Sequence, residues 1–306
     1  MKALMIINPK AGKKSRRNLA EYLRRVFRLH GYDCDVITTK KPLEAESIAR
    51  SMAENYQLVV CSGGDGTLSE TVNGLNCLKN RPPIAYLPTG TTNDFAGSLG
   101  LSTDIKQAVR DTLGGTREKL DIGRMNDRCF VYVASFGAFS QSAYLTPQNM
   151  KNRFGRFAYF IECMRELPSI RAHKMRISDS QGEICRGSYL FGAISNATSI
   201  GGILHYDRRD VSLSDGKHEV LLIKKPESIG MLRRTIRALL TGDYSADGIQ
   251  MFHASHLRFE FEDETEWTLD GERCAPAKVT DIDNVPYAME FIVPRSAAEK
   301  NFCKTA

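Results

Sequence analysis

The stretch Gly63-Gly64-Asp65-Gly66-Thr67 follows the apolar run Leu58-Val59-Val60-Cys61. A glycine cluster after a strand lets backbone N–H groups approach a ligand closely, and such loops commonly hold phosphates. A carboxylate inside the loop would repel that ligand. A magnesium ion between them reverses the sign, because Mg²⁺ takes carboxylate and phosphate oxygens together. Two further turns carry related ingredients: Asn8-Pro9-Lys10-Ala11-Gly12 after Ala3–Ile7, and Thr89-Gly90-Thr91-Thr92-Asn93-Asp94 after Ile84–Leu87. Asp94 is a second acid at the same kind of position. Neither GxxxxGK[ST] nor GxGxxG occurs here, so P-loop and dinucleotide readings have no support. One such turn reads equally well as a tight strand-to-helix connection with Thr67 as N-cap. Three in register argue for one crevice that binds a polyphosphate with a divalent cation.

The elements that must position these turns alternate. Strands are expected at 3–7, 33–37, 58–61 and 84–87, and helices at 15–29, 44–54, 67–75 and 104–113, from apolar runs and from 3–4 spacing such as Leu19, Tyr22, Leu23, Val26 and Phe27. Short buried strands alternating with helices predict a doubly wound parallel sheet. Right-handed crossovers place all three turns on its carboxyl edge. Beyond Leu120 the rhythm changes to strands at 129–135, 173–178, 188–195, 220–224, 256–261, 266–269 and 288–293, with helices at 156–166 and 228–240. That half predicts an antiparallel β-sandwich. The division is a nucleotide-binding α/β domain over 1–122 and a β-rich domain over 123–289, with 290–306 packing back on the first.

The chain has 306 residues, 42% hydrophobic and 25% charged, enough for two domains with real cores. No apolar run reaches the roughly 18 residues of a membrane span. The eight cysteines show no zinc spacing and are expected to be reduced thiols of a reducing compartment. Net charge is +6, with basic clusters at 13–28 and at Arg233, Arg234 and Arg237. Basic faces attract phosphates or anionic lipid heads, although a solvated helix face is the plainer explanation. No aromatic-plus-basic pattern points to nucleic acid, and none is expected as a partner.

GGDGT, with NPKAG upstream and PTGTTNDFA downstream, resembles the diacylglycerol kinase catalytic-domain superfamily, above all its soluble bacterial lipid kinases. Two more segments extend the resemblance over nearly the whole chain. Gly201-Gly202 with Ser212-Leu213-Ser214-Asp215-Gly216 looks like the family's magnesium loop, and Leu269-Asp270-Gly271-Glu272 like its LDGE motif. GGDGT alone is shared with NAD kinases. The resemblance implies an ATP- and Mg²⁺-dependent transfer of a γ-phosphate to a lipid hydroxyl, diacylglycerol first, with the nucleotide in the inter-domain cleft. Carried over by motif position, Asn8, Pro9, Lys10, Ala11 and Gly12 contact phosphates and Thr38 touches the nucleotide. Gly63, Gly64, Asp65, Gly66, Thr67, Leu68, Ser69 and Glu70 form the main loop, with Thr91 and Asn93 adding contacts from the third turn. Asp65, Asp94 and Glu272 surround the catalytic magnesium, and Ser212, Asp215 and the Lys217 carbonyl hold a structural one. The proton acceptor is Asp270 or Glu272; chemically Asp270 is favoured, with Glu272 holding metal and water.

The metal loop departs from the family pattern, since Ile203 stands for a third glycine and Ser214 for an acid. Asp215-Gly216 and Asp270-Gly271 are also ordinary hairpin-turn pairs. A lipid substrate implies work at a membrane surface, so a cytoplasmic protein with peripheral contact at the inner face is expected, with homodimerisation left open. Phe154, Phe157, Tyr159, Phe160 and Ile161 beside Arg153 and Arg156, and the segment 231–240, are candidates for that contact; core packing is the alternative. Rival readings are a kinase of NAD or another small alcohol and, in a different class, a non-catalytic nucleotide-binding regulator at the membrane.

Overall fold

The computed structural model describes residues 1–12, 18–137, 171–200, 204–206 and 211–301. The chain forms two compact units: Met1–Ile122 with Ser212–Asp215 and Val285–Ala306, and Gly123–Val211 with Gly216–Asn284.

In the first unit, strands β1 (Lys2–Ile7), β2 (Asp33–Thr38), β3 (Leu58–Gly63) and β4 (Ile84–Pro88) are joined through helices α1 (Leu19–Leu29), α2 (Glu44–Met52) and α3 (Asp65–Asn76). The strands pair in parallel in the order β4-β3-β1-β2. Successive side chains point to opposite faces, and both faces are covered. Ala3, Met5, Ile7, Val60, Ala85 and Leu87 pack with Leu23 and Phe27 of α1 and with Ala108 and Val109 of α5 (Ile105–Gly114). Helices α2 and α3 lie close together because Gly74 has no Cβ; one there would strike the Glu46 carbonyl and stand 2.7 Å from Ala49 Cβ. A five-residue helix, α4 (Asp94–Ser98), follows the third turn.

The second unit is antiparallel. Strand β5 (Thr116–Met125) begins in the first unit, its residues 123–125 pair with β6 (Arg128–Phe130), and β7 (Val133–Gly137), β8 (His173–Asp179) and β9 (Gly182–Ser195) follow. The 14-residue β9 changes partners along its length. Residues 182–189 pair with β8, while 191–195 pair with β7 on one edge and with β12 (His218–Lys224) on the other. Strands β10 (Ser199–Ile200) and β11 (Leu204–His205) form a small separate pair. Helix α6 (Ile229–Thr241) leads to β13 (Ile249–Ala254) on β12, then to β14 (His256–Thr265), β15 (Trp267–Leu269) and β16 (Glu272–Arg273). The core is aromatic: Phe136 meets Trp267 edge-on at 4.9 Å and Phe261 at 5.1 Å, with Phe259 at 5.1 Å from Trp267. Strand β17 (Ala277–Val293) starts in this unit, antiparallel to β14, and ends in the first, parallel to β4; α7 (Arg295–Asn301) closes the described chain.

The expected run 129–135 is split by a bend into β6 and β7, and 288–293 is only the end of β17. The expected helix 156–166 and its aromatic mouth lie outside the described residues. Ser212–Asp215, placed by the sequence reading in the β-rich half, belongs to the first unit. There Leu213 is buried and its carbonyl accepts from the Asp121 N–H at 2.9 Å.

Candidate active site

In the parallel sheet the strand order reverses between β1 and β3, and crevices for ligands open at the carboxyl ends of strands beside such a switch point. The turns after β1, β3 and β4 all lie there, and they touch. The Asn8 N–H donates to the Ser62 carbonyl (2.8 Å), and its side-chain amide donates to Thr67 Oγ1 (3.0 Å). Asn8 Oδ1 accepts from the Lys10 N–H at 3.0 Å. From the third turn, the Thr89 and Gly90 N–H groups both donate to the Gly63 carbonyl, at 2.8 and 3.1 Å. Glycine is required where backbones meet. Gly12 has φ +83°, and a Cβ on it would run into the Thr89 carbonyl. A Cβ on Gly90 would lie 2.5 Å from Gly64 Cα. Gly90→Ala is therefore expected to push two turns apart, costing about 1–3 kcal/mol of stability. Thermal melts and the KM for nucleotide check this; an unchanged melt together with an unchanged KM contradicts it.

Helix α3 starts at Asp65, with Gly64 extended at its N-cap and no side chain capping it. Its leading amides are the orphan donors of a helix N-terminus. Thr67 is thus inside the first turn, where it holds Asn8, and is not the cap. Leu68 is core, and Ser69 is buried with its carbonyl accepting from Asn73 Nδ2. Glu70 Oε2 accepts from the Ala45 N–H at the start of α2 (3.1 Å). Among the main-loop residues, Leu68 and Ser69 are therefore packed inside the helix, with the Leu68 N–H already donating to the Gly64 carbonyl at 3.1 Å, and Glu70 is tied to α2. Pro9, Lys10 and Gly12 are exposed, Ala11 is half-buried, and Thr38 is exposed at the end of β2. Thr91 is exposed, whereas Asn93 is buried in the left-handed region (φ +53°), its amide donating to the Gly90 carbonyl at 2.9 Å.

Asp65 does structural work as well. Its Oδ2 accepts from the Asp94 N–H at 3.0 Å and its Oδ1 from the Phe95 N–H at 3.3 Å, so it clips the start of α4 to the glycine loop. Burial pushes its carboxyl above the usual range, against these donors, which lower it. Asp94 is itself buried. The Asp65 N–H also donates to its own carboxylate, and Asp65 and Asp94 are the acids at this edge whose oxygens could hold a cation. Sequence reasoning overlooked Tyr86, whose hydroxyl lies 3.5 Å from Asp65 Oδ1 and 3.4 Å from Asn93 Oδ1. It also overlooked Ser62 and Thr89, buried hydroxyls without a hydrogen-bond partner at the ends of β3 and β4. A hydroxyl on the final residues of a buried strand facing the switch edge is the signal that marks them.

The LDGE segment lies in the second unit. Leu269 pairs with Glu272, and Asp270-Gly271 is a two-residue loop with φ +48° and +92°, positive at both positions as a type I′ hairpin demands. The Asp270 carboxylate is buried and accepts three backbone N–H bonds, from Val131 (2.7 Å), Tyr132 (3.0 Å) and Val133 (3.1 Å). Those amides sit at the bend between β6 and β7. Both oxygens help to hold the bend, which weighs against the chemical preference for Asp270 as proton acceptor. Glu272 is exposed on β16.

In the remaining segment, Ser212 Oγ is buried with no hydrogen-bond partner, an orphan oxygen that suits a metal ligand, while Asp215 and Lys217 are exposed.

The model of the diacylglycerol kinase catalytic domain matches residues 2–125. The chain is 31% identical over 274 residues to a diacylglycerol kinase of Bacillus subtilis (strain 168), covering 89% of each. The chain belongs to the diacylglycerol kinase family of lipid kinases. A second family member, the diacylglycerol kinase of Staphylococcus aureus (strain MRSA252), is 35% identical over 229 residues, 73% of this chain and 71% of that one. The fold of the family is seen in a diacylglycerol kinase from Bacillus anthracis str. Sterne, with TM-score 0.78, 22% identity, and 95% of this chain and 96% of that chain covered. An NAD kinase from Archaeoglobus fulgidus solved with ATP is more distant in fold, with TM-score 0.52 and 14% identity over 97% of this chain and 95% of that one. The likeness to these two structures is one of fold. As a member of the diacylglycerol kinase family the chain is a kinase, and GGDGT lies inside the matched domain.

Proposed function

We propose that this kinase transfers the γ-phosphate of ATP to the hydroxyl of diacylglycerol, giving phosphatidic acid. The observation that carries the reading is the meeting of three glycine turns at the β1/β3 switch edge, in front of the uncapped N-terminus of α3. Backbone amides of Gly64, Asp65, Gly66 and Thr67 face the phosphates, and Asn8, fixed by Thr67 and Ser62, holds the first turn against them. Thr38, Thr91 and Asn93 contribute nucleotide contacts. Phosphoryl transfer needs alignment and charge neutralisation more than covalent help. Asp65 and Asp94 are the residues that would hold Mg²⁺, directly or through water, and Ser212, Asp215 and the Lys217 carbonyl those that would hold a second ion. Bound magnesium supplies the positive charge that lets acids and phosphoryl oxygens share the site. Glu272 receives the acceptor hydroxyl's proton, and Asp270 keeps the hairpin that carries it in place.

Labelled ATP offered to diacylglycerol, a mixed lipid extract and NAD tests the reading. Label in phosphatidic acid supports it. Label in NAD phosphate alone, or in no acceptor, overturns it. Ser212→Ala is expected to raise the Mg²⁺ concentration for half-maximal activity by about 10-fold, since one orphan oxygen ligand is lost. An unchanged magnesium titration contradicts a metal at that loop.

A further inference from the structure

Helix α6 is bound to the second unit by one face and open on the other. Thr235, Ala238 and Leu239 are buried, and Gly248 makes room for Thr235, since a Cβ there would strike its hydroxyl. Both ends are defined. Ser228 Oγ accepts from the Met231 N–H at 3.1 Å, and Gly242 ends the helix at φ +72°. The opposite stripe, at helical spacing, is Ile229, Arg233 and Arg237, with Gly230 and Arg234 alongside, all exposed. Ile229 is 71% exposed. The helix carries no acidic residue, and none of the three arginines pairs with a carboxylate among the described residues. Nearby acids lie outside the helix: Glu227 before it, and Asp243 after it, which feels the charge of Arg237. The other basic helix, α1, differs. It contains Glu21, and Arg24 and Arg28 share their surroundings with Asp33 and Asp35 around Cys34.

We propose that the Arg233–Arg234–Arg237 face of α6, led by Ile229, docks on the surface of an anionic phospholipid bilayer. A kinase of the lipid-kinase family must reach an acceptor that resides in a membrane, and no described helix is long and apolar enough to cross one. A fixed cationic stripe with an apolar residue at one end complements such a surface, where each nearby arginine adds to attraction and salt screens it. The inference rests on membership of that family, and its test reads binding without turnover, so it fails or stands apart from the ATP and acceptor assignments.

The test is co-sedimentation of the full chain with vesicles of about one-third phosphatidylglycerol in phosphatidylcholine, against phosphatidylcholine alone. Wild type binds the anionic vesicles and releases them as salt rises. Replacing Arg233, Arg234 and Arg237 by Gln together weakens partitioning about a hundredfold at low salt, at about fivefold per arginine. The matching Lys triple retains it, and both melt like wild type because the side chains are exposed. Gln at Arg24, Arg25 and Arg28 of α1 changes partitioning far less. Equal binding to neutral vesicles, equal loss from the α1 variant, an unaffected α6 Gln variant, or binding to RNA in place of vesicles overturns the proposal.

Discussion

Glu272→Gln is expected to lower turnover about a thousandfold and to leave the melting temperature where it was, whereas Asp270→Asn is expected to cost stability and spare most of the chemistry. The two acids are two residues apart in LDGE but live in different surroundings. Glu272 is exposed on β16, and its loss would remove the proposed general base, a term worth roughly 10²–10⁴ in rate. Asp270 is buried with three backbone donors on its carboxylate. An asparagine there keeps one oxygen and turns an N–H₂ toward donors, leaving buried amides unpaired at a cost of about 3 kcal/mol. Steady-state rates with diacylglycerol in mixed micelles, beside denaturant melts, separate the two. A thousandfold rate loss from Asp270→Asn with an unchanged melt would return the base to Asp270.

Asp65→Asn is expected to abolish magnesium-dependent turnover, by about a thousandfold or more, as removal of a metal-holding charge at a phosphoryl-transfer site does. Its effect on stability has a pH-dependent part. Burial raises the Asp65 carboxyl above its ordinary range, so the fold prefers the protonated form. Without metal, that preference stabilises the protein below the ordinary carboxylate value and is lost as pH rises through the raised one. The asparagine, neutral at every pH, is expected to flatten this dependence, while turning an N–H₂ toward the Asp94 or Phe95 N–H and lowering the melt at every pH. Magnesium must displace the proton, so the metal requirement of the wild type rises as pH falls through the raised value. A magnesium titration at several pH values, with melts in chelator, checks both statements. A pH-independent magnesium requirement contradicts them.

The parallel sheet was legible because its strands are buried on both faces and read as unbroken apolar runs, such as Ala3–Ile7 and Leu58–Cys61. The meeting of the three turns followed from strand direction and crossover handedness. Other elements left weaker marks. Helix α4 is five residues long, too short for a helical period to register. Strand β5 reads TREKLDIGRM, whose charges hide its alternation. Only Ser255 separates β13 from β14, and the sequence marked only the second of them, at 256–261. Pro286 interrupts β17 where the strand leaves one unit for the other, which made 288–293 look like the whole strand.

Within the candidate site, the motifs were legible, but the backbone contacts of their acids were not. Asp65 and Asp270 both hold backbone amides of segments distant in sequence, Asp94–Phe95 and Val131–Val133. Backbone donors have no letter in the sequence, so a carboxylate that satisfies them looks identical to one that does chemistry.

The proposed function depends on the turns at Asn8–Gly12, Gly63–Thr67 and Thr89–Asp94 holding a nucleotide's phosphates. A structure of the full chain with Mg²⁺ and a non-hydrolysable ATP analogue tests it most directly. Phosphoryl oxygens are expected against the leading amides of α3, with the cation on the Asp65 and Asp94 side. Phosphates bound at any other surface, with these turns empty, would contradict it.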